Sequence, residues 1–294
     1  MQNDLKIYDD FVIFVLSHGN PNEVITVKSL LRHGYTGKYY IVLDDEDKTI
    51  DEYKVNFGAD KVLTFNKDSI AKTFDEFGKN LGDRKMVVYA RNACFELARE
   101  LGYTYFMELD DDYYEFDFRF DDNGKLRNLA PTNLDLVLEA FLDYYKSCPQ
   151  IKSLCMAQGG DFLGGVGGAS SQFHKRYLRK AMNTFICSVD RPFTFVGKLN
   201  EDVNTYCTLG SRGELFSTVV DVSVDQLDTQ CKGGSGMSDA YDMGTYAKSF
   251  YTVMCCPSFV KIGIVGNNHA RIHHNVNWKH AVPRIVSDRF KKIT

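Results

Sequence analysis

Apolar runs alternate with amphipathic segments through the first part of the chain. The run Phe11–Leu16 is wholly apolar, which is typical of a strand buried on both faces of a parallel sheet. Residues 39–43 and 61–65 predict two further strands, and residues 24–33 and 49–57 have the spacing of amphipathic helices. This order of strands and helices predicts an α/β fold whose first half binds a nucleotide.

Polar residues stand at the ends of these elements. Asp44 and Asp45 follow the second strand, where an acid can accept hydrogen bonds from a ribose or a base. They can equally be charges that stabilise the N-terminus of a helix. Arg91 interrupts the apolar side of a helix predicted over residues 86–101. It is placed either to contact a diphosphate or to pair with a neighbouring acid.

Three consecutive acids, Asp110, Asp111 and Asp112, end a strand predicted within residues 103–113. The carboxyl ends of strands are where open α/β sheets hold their ligands. Because side chains alternate along a strand, we expect Asp110 and Asp112 on one face and Asp111 on the other. Such a pair suits Mg²⁺ or Mn²⁺ carrying a diphosphate. The alternative is an acidic loop in solvent, the more common origin of a charge run.

The later pattern is more mixed. Aromatic and polar residues alternate over 114–120, which predicts a half-buried strand, and residues 121–125 carry a hairpin-turn signal. The same reasoning predicts a helix at 134–145 and strands at 126–129, 153–157, 215–224 and 259–265.

Three polar segments have other patterns. Residues 159–168 contain six glycines but lack the Gly-Lys-Ser/Thr ending of a phosphate-binding loop. Residues 174–180 form the densest basic cluster, which would follow a nucleic-acid backbone or form a solvated helix face. Residues 226–243 are polar and glycine-rich, and their length predicts a lid.

Two further groups carry candidate chemistry. Asn200 precedes Glu201 and Asp202, which predicts a helix start with Asn200 as its cap. Acids in a first helical turn are also favoured by the helix dipole alone. His273 and His274 are adjacent, so in an extended segment only one of them would face a given site.

Composition narrows the class of protein. The chain has 294 residues, and its longest apolar run is too short to span a bilayer. Eight cysteines without a Cys-x-x-Cys pair indicate buried thiols in a reducing, cytoplasmic environment. Residues 1–147 carry 18 lysines and arginines against 28 acids, a net charge of −10. Residues 148–294 carry 17 against 11, a net charge of +6, so the two halves suit different partners.

Together these features resemble metal-dependent glycosyltransferases of the GT-A fold. More narrowly, the chain resembles the TET/JBP-associated glycosyltransferases, which include phage enzymes and the base J glucosyltransferase and act on hydroxymethylated pyrimidines in DNA. The resemblance is carried by residues 11–21, Asp44-Asp45, Tyr89-Ala-Arg-Asn92, Leu109-Asp-Asp-Asp112, Asn200-Glu-Asp202 and Arg271-Ile-His-His274.

The resemblance implies one GT-A-like domain over residues 1–294. Residues 1–147 would form a Rossmann-like half that binds the nucleotide sugar, and residues 148–294 would form an acceptor-binding and catalytic half. The donor would be a UDP-sugar, and the acceptor a hydroxymethylated base in DNA. No membrane is expected as a partner, and a viral enzyme would act in the host cytoplasm.

The resemblance also implies roles for particular residues. Asp202 would be the general base of an inverting transfer, with Glu201 beside it. Asp110 and Asp112 would bind Mn²⁺ or Mg²⁺ with one of two histidines, His273 being favoured over His274. The expected donor-binding residues are Ser17, His18, Asp44, Asp45, Arg91, Asp110 and Asp111.

Other interpretations stay open. A sugar-phosphate nucleotidyltransferase uses a similar sheet and metal-binding acids, but residues 17–21 lack a basic glycine-rich signature. A non-catalytic binding module of the same fold is a further alternative, which the intact acids at 110, 112 and 202 disfavour. Within glycosyl transfer, the acceptor could instead be a protein, a lipid or a polysaccharide.

Overall fold

A mixed β-sheet runs through the structure, which is a computed structural model. The residues described are 9–77, 86–162, 181–182, 184–227, 244–265 and 271–281. Within them, the main sheet has nine strands in the order β3-β2-β1-β4-β8-β7-β9-β5-β6. The basic cluster at 174–180, residues 163–168 of the glycine-rich segment and residues 228–243 of the predicted lid lie outside the described residues.

The first half of the sheet is parallel. β1 (Phe11–Leu16) pairs with β2 (Tyr39–Asp44) on one side and with β4 (Tyr105–Asp110) on the other, and β3 (Val62–Phe65) pairs with β2. The carboxyl ends of these strands therefore lie at one edge of the sheet. The accompanying helices are α1 (Ile25–Arg32), α2 (Ile50–Phe57), α3 (Lys67–Ala71) and α4 (Val88–Glu100).

The second half of the sheet is mostly antiparallel. β8 lies antiparallel between β4 and β7, β9 runs parallel to β7, and β5 joins β9 to β6. The strands are β5 (Tyr113–Phe120), β6 (Leu126–Leu129), β7 (Ile151–Gln158), β8 (Phe185–Ser188) and β9 (Leu215–Gln226).

The remaining elements pack around this sheet. β10 and β11 form a separate antiparallel hairpin, and the helix before β10 contacts both of its strands. Their bounds are α5 (Leu134–Ser147), α6 (Glu201–Ser211), α7 (Gly244–Cys255), β10 (Val260–Val265), β11 (Arg271–Val276) and α8 (Trp278–Ala281).

The core lies on both faces of the sheet, as the apolar run of β1 requires. Val12, Phe14 and Leu16 belong to the cluster on the α4 side, whereas their neighbours in the sequence belong to the cluster on the α5 side. Asn133 begins α5 by accepting a hydrogen bond from the Leu136 amide. Because both faces of β1 are buried, all of its residues are apolar, and this is the pattern from which the strand was predicted.

The predicted α/β fold class is confirmed, and most predicted elements are present with shifted ends. The strand that carries the acids ends at Asp110, so Asp111 and Asp112 form a turn and strand alternation does not reach them. The elements that were not predicted are α3, β8, α7, β11 and α8. Among the described residues, no helix has the length and apolar character needed to cross a membrane.

Candidate active site

One edge of the sheet collects the polar residues singled out in the sequence. β1 leads into Ser17 and His18, β2 into Asp44 and Asp45, and β4 into the acids at 110–112. β7 and β9 run parallel to each other and bring Gln158 and Gln226 to their own carboxyl ends. Parallel pairing thus places side chains from distant parts of the sequence at one edge.

Arg91 lies at the centre of a buried group of acids. Its Nη2 donates to Asp110 Oδ1 at 2.8 Å, and its Nε donates to Glu201 Oε1 at 3.1 Å. Its Nη1 lies 3.5 Å from Glu108 Oε2. Arg91 is 1% exposed, and its guanidinium lies over the rings of Phe185 and Phe195. The structure therefore shows the second alternative for Arg91, pairing with neighbouring acids; contact with a diphosphate stays a prediction.

The acidic cluster, defined as Glu108, Asp110, Glu201 and Asp202, has more negative charge than Arg91 can neutralise. Burial raises the pKa of Glu108 to about 8, although Arg91 opposes the rise. Burial also raises the pKa of Asp110 to about 6, and the charges of Asp112 and Asp202 add to that rise. Burial and the adjacent Asp202 raise the pKa of Glu201. Full ionisation of these four acids is therefore unfavourable, and a bound cation would stabilise their charged forms.

Asp111 is held on the side of β1. Ser17 donates a short hydrogen bond to Asp111 Oδ2, and Ser17 Oγ also lies 2.7 Å from the hydroxyl of Tyr53. That hydroxyl accepts a hydrogen bond from the Asn20 amide at 2.9 Å. Burial raises the pKa of Asp111 to about 6, against the hydrogen bond from Ser17. Ser17 and Asp111, both predicted to bind the donor, are therefore in direct contact.

Asp112 points toward β9. Gln226 Nε2 donates to Asp112 Oδ2 at 3.0 Å, and the Leu227 amide donates to the Asp112 carbonyl oxygen at 3.2 Å. Asp112 Oδ1 is buried and has no hydrogen-bond partner. Burial raises the pKa of Asp112 to about 6. An unpartnered buried carboxylate oxygen is costly unless a ligand completes it.

Asp44 contacts the side chains of His18 and Lys67. His18 Nδ1 lies 2.7 Å from Asp44 Oδ2, and Lys67 Nζ lies 2.8 Å from Asp44 Oδ1. Asp45 is exposed and accepts a hydrogen bond from the Lys67 amide at 2.9 Å, at the start of α3. The helix-start interpretation of this acid therefore describes Asp45, and binding of a nucleoside by either acid stays a prediction.

The two predicted histidines lie next to each other on β11. His274 Nδ1 lies 3.3 Å from Asn200 Nδ2, immediately before Glu201 and Asp202. The ring centroids of His273 and His274 are 4.4 Å apart. His274 therefore contacts the residue that precedes the acids of α6, and the preference for His273 as a metal ligand stays a prediction.

The donor set at this edge fits a hard cation. Carboxylate oxygens are the ligands that Mg²⁺ and Mn²⁺ prefer, and Asp112 Oδ1 has an unused lone pair. No group of three or more His, Cys, Asp or Glu side chains suited to a metal is assembled within the described ranges. The carboxylates Asp110 and Asp112 thus suit a cation that keeps substrate or water ligands, whereas a histidine ligand stays a prediction.

Sequence reasoning missed several residues of this edge. Glu108 and Gln226 contact the predicted residues Arg91 and Asp112, and Lys67 contacts Asp44. A glutamate inside an apolar strand was a usable signal for Glu108, because an unpaired buried acid is rare. Gln226 and Lys67 carry no comparable signal, since a polar residue at the end of a strand or at the start of a helix is ordinary.

Comparison with known proteins gives a family and several similar structures. A profile of the TET-associated glycosyltransferases matches residues 11–235. No curated protein sequence was found to match the chain. Glucosyl-3-phosphoglycerate synthase from Mycobacterium tuberculosis, in complex with Mn²⁺ and UDP-glucose, is 9% identical with a TM-score of 0.43, covering 90% of this chain and 85% of that chain. S. aureus TarS 1–349 is 13% identical with a TM-score of 0.42, covering 73% and 59%.

Proposed function

Because the chain belongs to the TET-associated glycosyltransferase family, we propose that it transfers a sugar from a nucleotide sugar to a hydroxyl group with the help of a divalent cation. The observation that carries this proposal is the acidic cluster around one arginine, next to an unpartnered oxygen of Asp112. A nucleotide sugar brings a diphosphate, which binds carboxylates only through a cation.

Asp110 and Asp112 would hold Mn²⁺ or Mg²⁺. Arg91 fixes Asp110 from one side, and Gln226 fixes Asp112 from another, so both carboxylates are oriented before a substrate arrives. Fixed ligand orientation of this kind raises metal affinity. When bound, the cation would offset the negative charge that develops on the diphosphate leaving group.

Asp202 would act as the general base. It lies in the first turn of α6, is 6% exposed, and is close enough to Asp110 that its charge raises the Asp110 pKa. Its neighbour Glu201 is instead engaged in an ion pair with the Nε of Arg91. Asp202 would take the proton of the acceptor hydroxyl as that oxygen attacks the anomeric carbon. Direct attack inverts the anomeric configuration.

The nucleoside would lie over the ends of β1, β2 and β3. Ser17, His18, Asp44 and Asp45 all stand at that edge, although each has a protein partner here. Ligands of open α/β sheets bind outside the carboxyl ends of strands, which supports this placement. UDP-glucose is the first donor that we would test.

The proposed acceptor is 5-hydroxymethylpyrimidine in DNA. The family description supports a connection with base modification, and the charge of +6 on residues 148–294 suits a polyanion. The total charge of −4 does not by itself favour DNA, so the acceptor needs a direct test.

A transfer assay tests the donor and the acceptor together. The full chain is incubated with UDP-glucose, Mn²⁺ and DNA containing 5-hydroxymethylcytosine, and the nucleosides are then analysed by mass spectrometry. We expect a hexosyl adduct that is absent with cytosine DNA, with chelator and with Asp202→Asn. Transfer to a protein or glycan but not to DNA would overturn the acceptor, and release of a sugar 1-phosphate would indicate nucleotidyl transfer instead.

A further inference from the structure

The helix α7 carries an exposed apolar face that the acidic cluster does not use. We propose that this face is a docking surface for single-stranded DNA, in which Tyr246 and Phe250 stack on bases close to the nucleotide that receives the sugar. The inference rests on the proposed function, because it takes DNA as the acceptor and gives that DNA a place on the protein.

The apolar stripe, defined as Tyr246, Phe250 and Met254, runs along α7 at every fourth position, so its members lie on one face of the helix. Tyr246 is 58% exposed, Phe250 37% and Met254 59%. The ring centroids of Tyr246 and Phe250 are 4.5 Å apart. Neighbouring exposed rings on a rigid element form a surface on which unpaired bases of any sequence can stack. Enzymes that modify a base use such unpaired bases, either in a single strand or flipped out of a duplex.

The opposite face of α7 is attached to the start of α6. Asn200 Nδ2 donates to the Lys248 carbonyl oxygen and to Oγ1 of the buried Thr252, each at 2.9 Å. Asn200 directly precedes the acids of α6, which include the proposed general base Asp202. The stripe therefore lies about one helix diameter, roughly 10 Å, from the start of α6. A strand that stacks on the stripe can present a neighbouring nucleotide to Asp202.

The charge of this part of the chain suits a polyanion. Residues 243–287 contain five lysines and arginines and no aspartate or glutamate, although the whole chain has 39 acids. Lys261 on β10 and Lys279 on α8 are exposed within this region. Positive charge without nearby carboxylates in the sequence is the composition that binds a phosphate backbone.

The same composition disfavours a second copy of this chain as the partner. In an isologous dimer each copy presents the same face to the other, so two positively charged regions without acids would meet. Single-stranded DNA avoids this repulsion, and it uses the exposed rings and the positive charge together.

Binding of single-stranded DNA tests the surface without requiring catalysis. The full chain is titrated into a fluorescein-labelled oligonucleotide of unmodified DNA, and the anisotropy is measured at several salt concentrations. Phe250→Leu and Tyr246→Leu should each weaken binding by about fivefold or more, because leucine keeps an apolar side chain but has no ring for stacking. Wild-type affinity should fall as the salt concentration rises, since phosphate contacts release counterions.

Three results of this titration would overturn the proposal. The first is a wild type that binds no DNA, and the second is an affinity that does not depend on salt. The third is unchanged affinity in both leucine variants, whether for the single strand or for a duplex of the same sequence, because the DNA would then lie elsewhere on the protein.

Tyr144→Leu provides the matched control. Tyr144 is an exposed aromatic residue on a helix, but that helix, α5, carries Asp135, Glu139 and Asp143 against a single lysine. This variant should bind the oligonucleotide as the wild type does. A loss equal to that of Phe250→Leu would show that the effect is not specific to α7 and would overturn the proposal.

Kinetics separate this inference from the proposed function. With DNA that contains 5-hydroxymethylcytosine, Phe250→Leu should raise the KM for DNA with a nearly constant kcat, because stacking beside the reacting nucleotide contributes equally to the ground state and the transition state. A wild type that binds DNA through the stripe but transfers no sugar would defeat the proposed function and leave the docking surface. Transfer to DNA with a wild-type KM in both leucine variants would defeat the docking surface and leave the proposed function.

Light scattering tests the remaining occupant of the stripe. The wild type and both leucine variants should have the same mass in solution. A wild-type dimer that dissociates in the leucine variants would show that a second copy of the chain covers the stripe, and it would overturn the proposal.

Discussion

At the scale of single residues, only one of the two carboxylate oxygens of Asp112 has a hydrogen-bond partner in the described structure. Oδ2 is bonded to Gln226, while Oδ1 is buried without a partner. We expect Asp112→Asn to weaken Mn²⁺-dependent binding of UDP by about tenfold or more, because an amide oxygen is a weaker ligand for a hard cation than a carboxylate. Calorimetry with UDP and Mn²⁺ measures the effect.

The control for this variant is Asp122→Asn. Asp122 lies in the hairpin turn between β5 and β6, and the same change of charge there should leave the affinity unaltered. Unchanged affinity in Asp112→Asn would remove this residue from the metal site. Equal losses in both variants would mean that net charge, and not ligation, causes the effect.

A substitution at Asp202 tests the chemical step of the proposed transfer. A side chain that acts only as general base affects turnover far more than donor binding. Asp202→Asn should therefore keep UDP-sugar affinity within a few-fold while turnover falls by about a hundredfold, the usual scale for losing a general base. Rapid-quench kinetics and calorimetry on one preparation separate the two quantities. Near-normal turnover would leave Asp202 with only its helix-dipole role and would make Glu201 the next residue to test.

Single residues were predictable from the sequence only where their local pattern was unusual. An acidic triplet after an apolar run, and two acids at a helix start, are visible without a structure. The partners of these acids are not visible, because they come from elsewhere in the fold. Arg91 meets Glu201 across 110 positions, and Gln226 meets Asp112 across 114. The side chain of Asn200 likewise contacts α7 and β11, neither of which was predicted.

At the scale of elements, the close packing of the loop that precedes α6 against that helix can be tested by substitution at Gly197. Gly197 has φ of 80°, and a Cβ there would lie 2.7 Å from Asn204 Nδ2 and 2.8 Å from Phe77 Cδ2. Gly197→Ala should lower the free energy of unfolding through both backbone strain and overpacking, which costs about 1–3 kcal/mol on its own. Urea unfolding followed by circular dichroism measures the loss.

Gly124→Ala isolates the backbone part of this effect. Gly124 has φ of 70°, but a Cβ there would have no atom within 4 Å. Its cost should be about 1–2 kcal/mol, the penalty of a left-handed residue with a side chain. Equal losses in the two variants would contradict the close packing of Gly197 against Asn204 and Phe77.

The elements that sequence reasoning predicted and missed differ in physical character. α5 carries strong periodicity because it buries one face, whereas β1 was recognisable as an unbroken apolar run that is buried on both faces. β8 has only four residues, which is too short for a period to be read. α7 begins directly after the glycine-rich stretch at 228–243, so composition favoured a continued loop. β11 is mostly polar, with Ile272 and Val276 as its apolar residues, and it pairs with β10 along its whole length.

At the scale of the whole molecule, buried charge connects the two halves. Arg91 of the first half holds Glu201 of the second, and β9 pairs with β5, so a boundary near residue 147 does not divide the sheet. Arg91→Met should lower the free energy of unfolding by about 3–5 kcal/mol, since it leaves buried carboxylates without their cation. Arg99→Met on the exposed side of α4 should change it by less than about 0.5 kcal/mol.

Chemical denaturation with chelator present compares these two variants. Adding Glu108→Gln to Arg91→Met should restore part of the loss, because one of the unpaired acids is then removed. A small effect of Arg91→Met alone would mean that the acids take up protons and remain buried at little cost, and the arginine would then not be a main link between the halves.

The dependence of stability on pH provides the last test of the whole fold. Burial alone would raise the pKa of Asp44, but hydrogen bonds from His18 and Lys67 outweigh burial and lower it. A carboxylate with a lowered pKa stabilises the folded state above its unfolded pKa of about 4, and this contribution is lost as the pH falls through the folded value. The free energy of unfolding should therefore be higher for the wild type than for Asp44→Asn. This difference should be largest at neutral pH and should shrink below about pH 4.

Asp45→Asn is the matched control, since Asp45 is adjacent and exposed, and its two carboxylate oxygens accept hydrogen bonds from the Lys67 amide and from Asn66 Nδ2 at the start of α3. An asparagine oxygen can still accept the hydrogen bond from the Lys67 amide, and the other contact is exposed, so the effect of this substitution on stability should be small at every pH. Urea unfolding from pH 7 down to pH 3 measures all three proteins. A difference between wild type and Asp44→Asn that stays constant over this range would show that Asp44 acts through shape and hydrogen bonding, and that its charge contributes nothing to joining β1, β2 and α3.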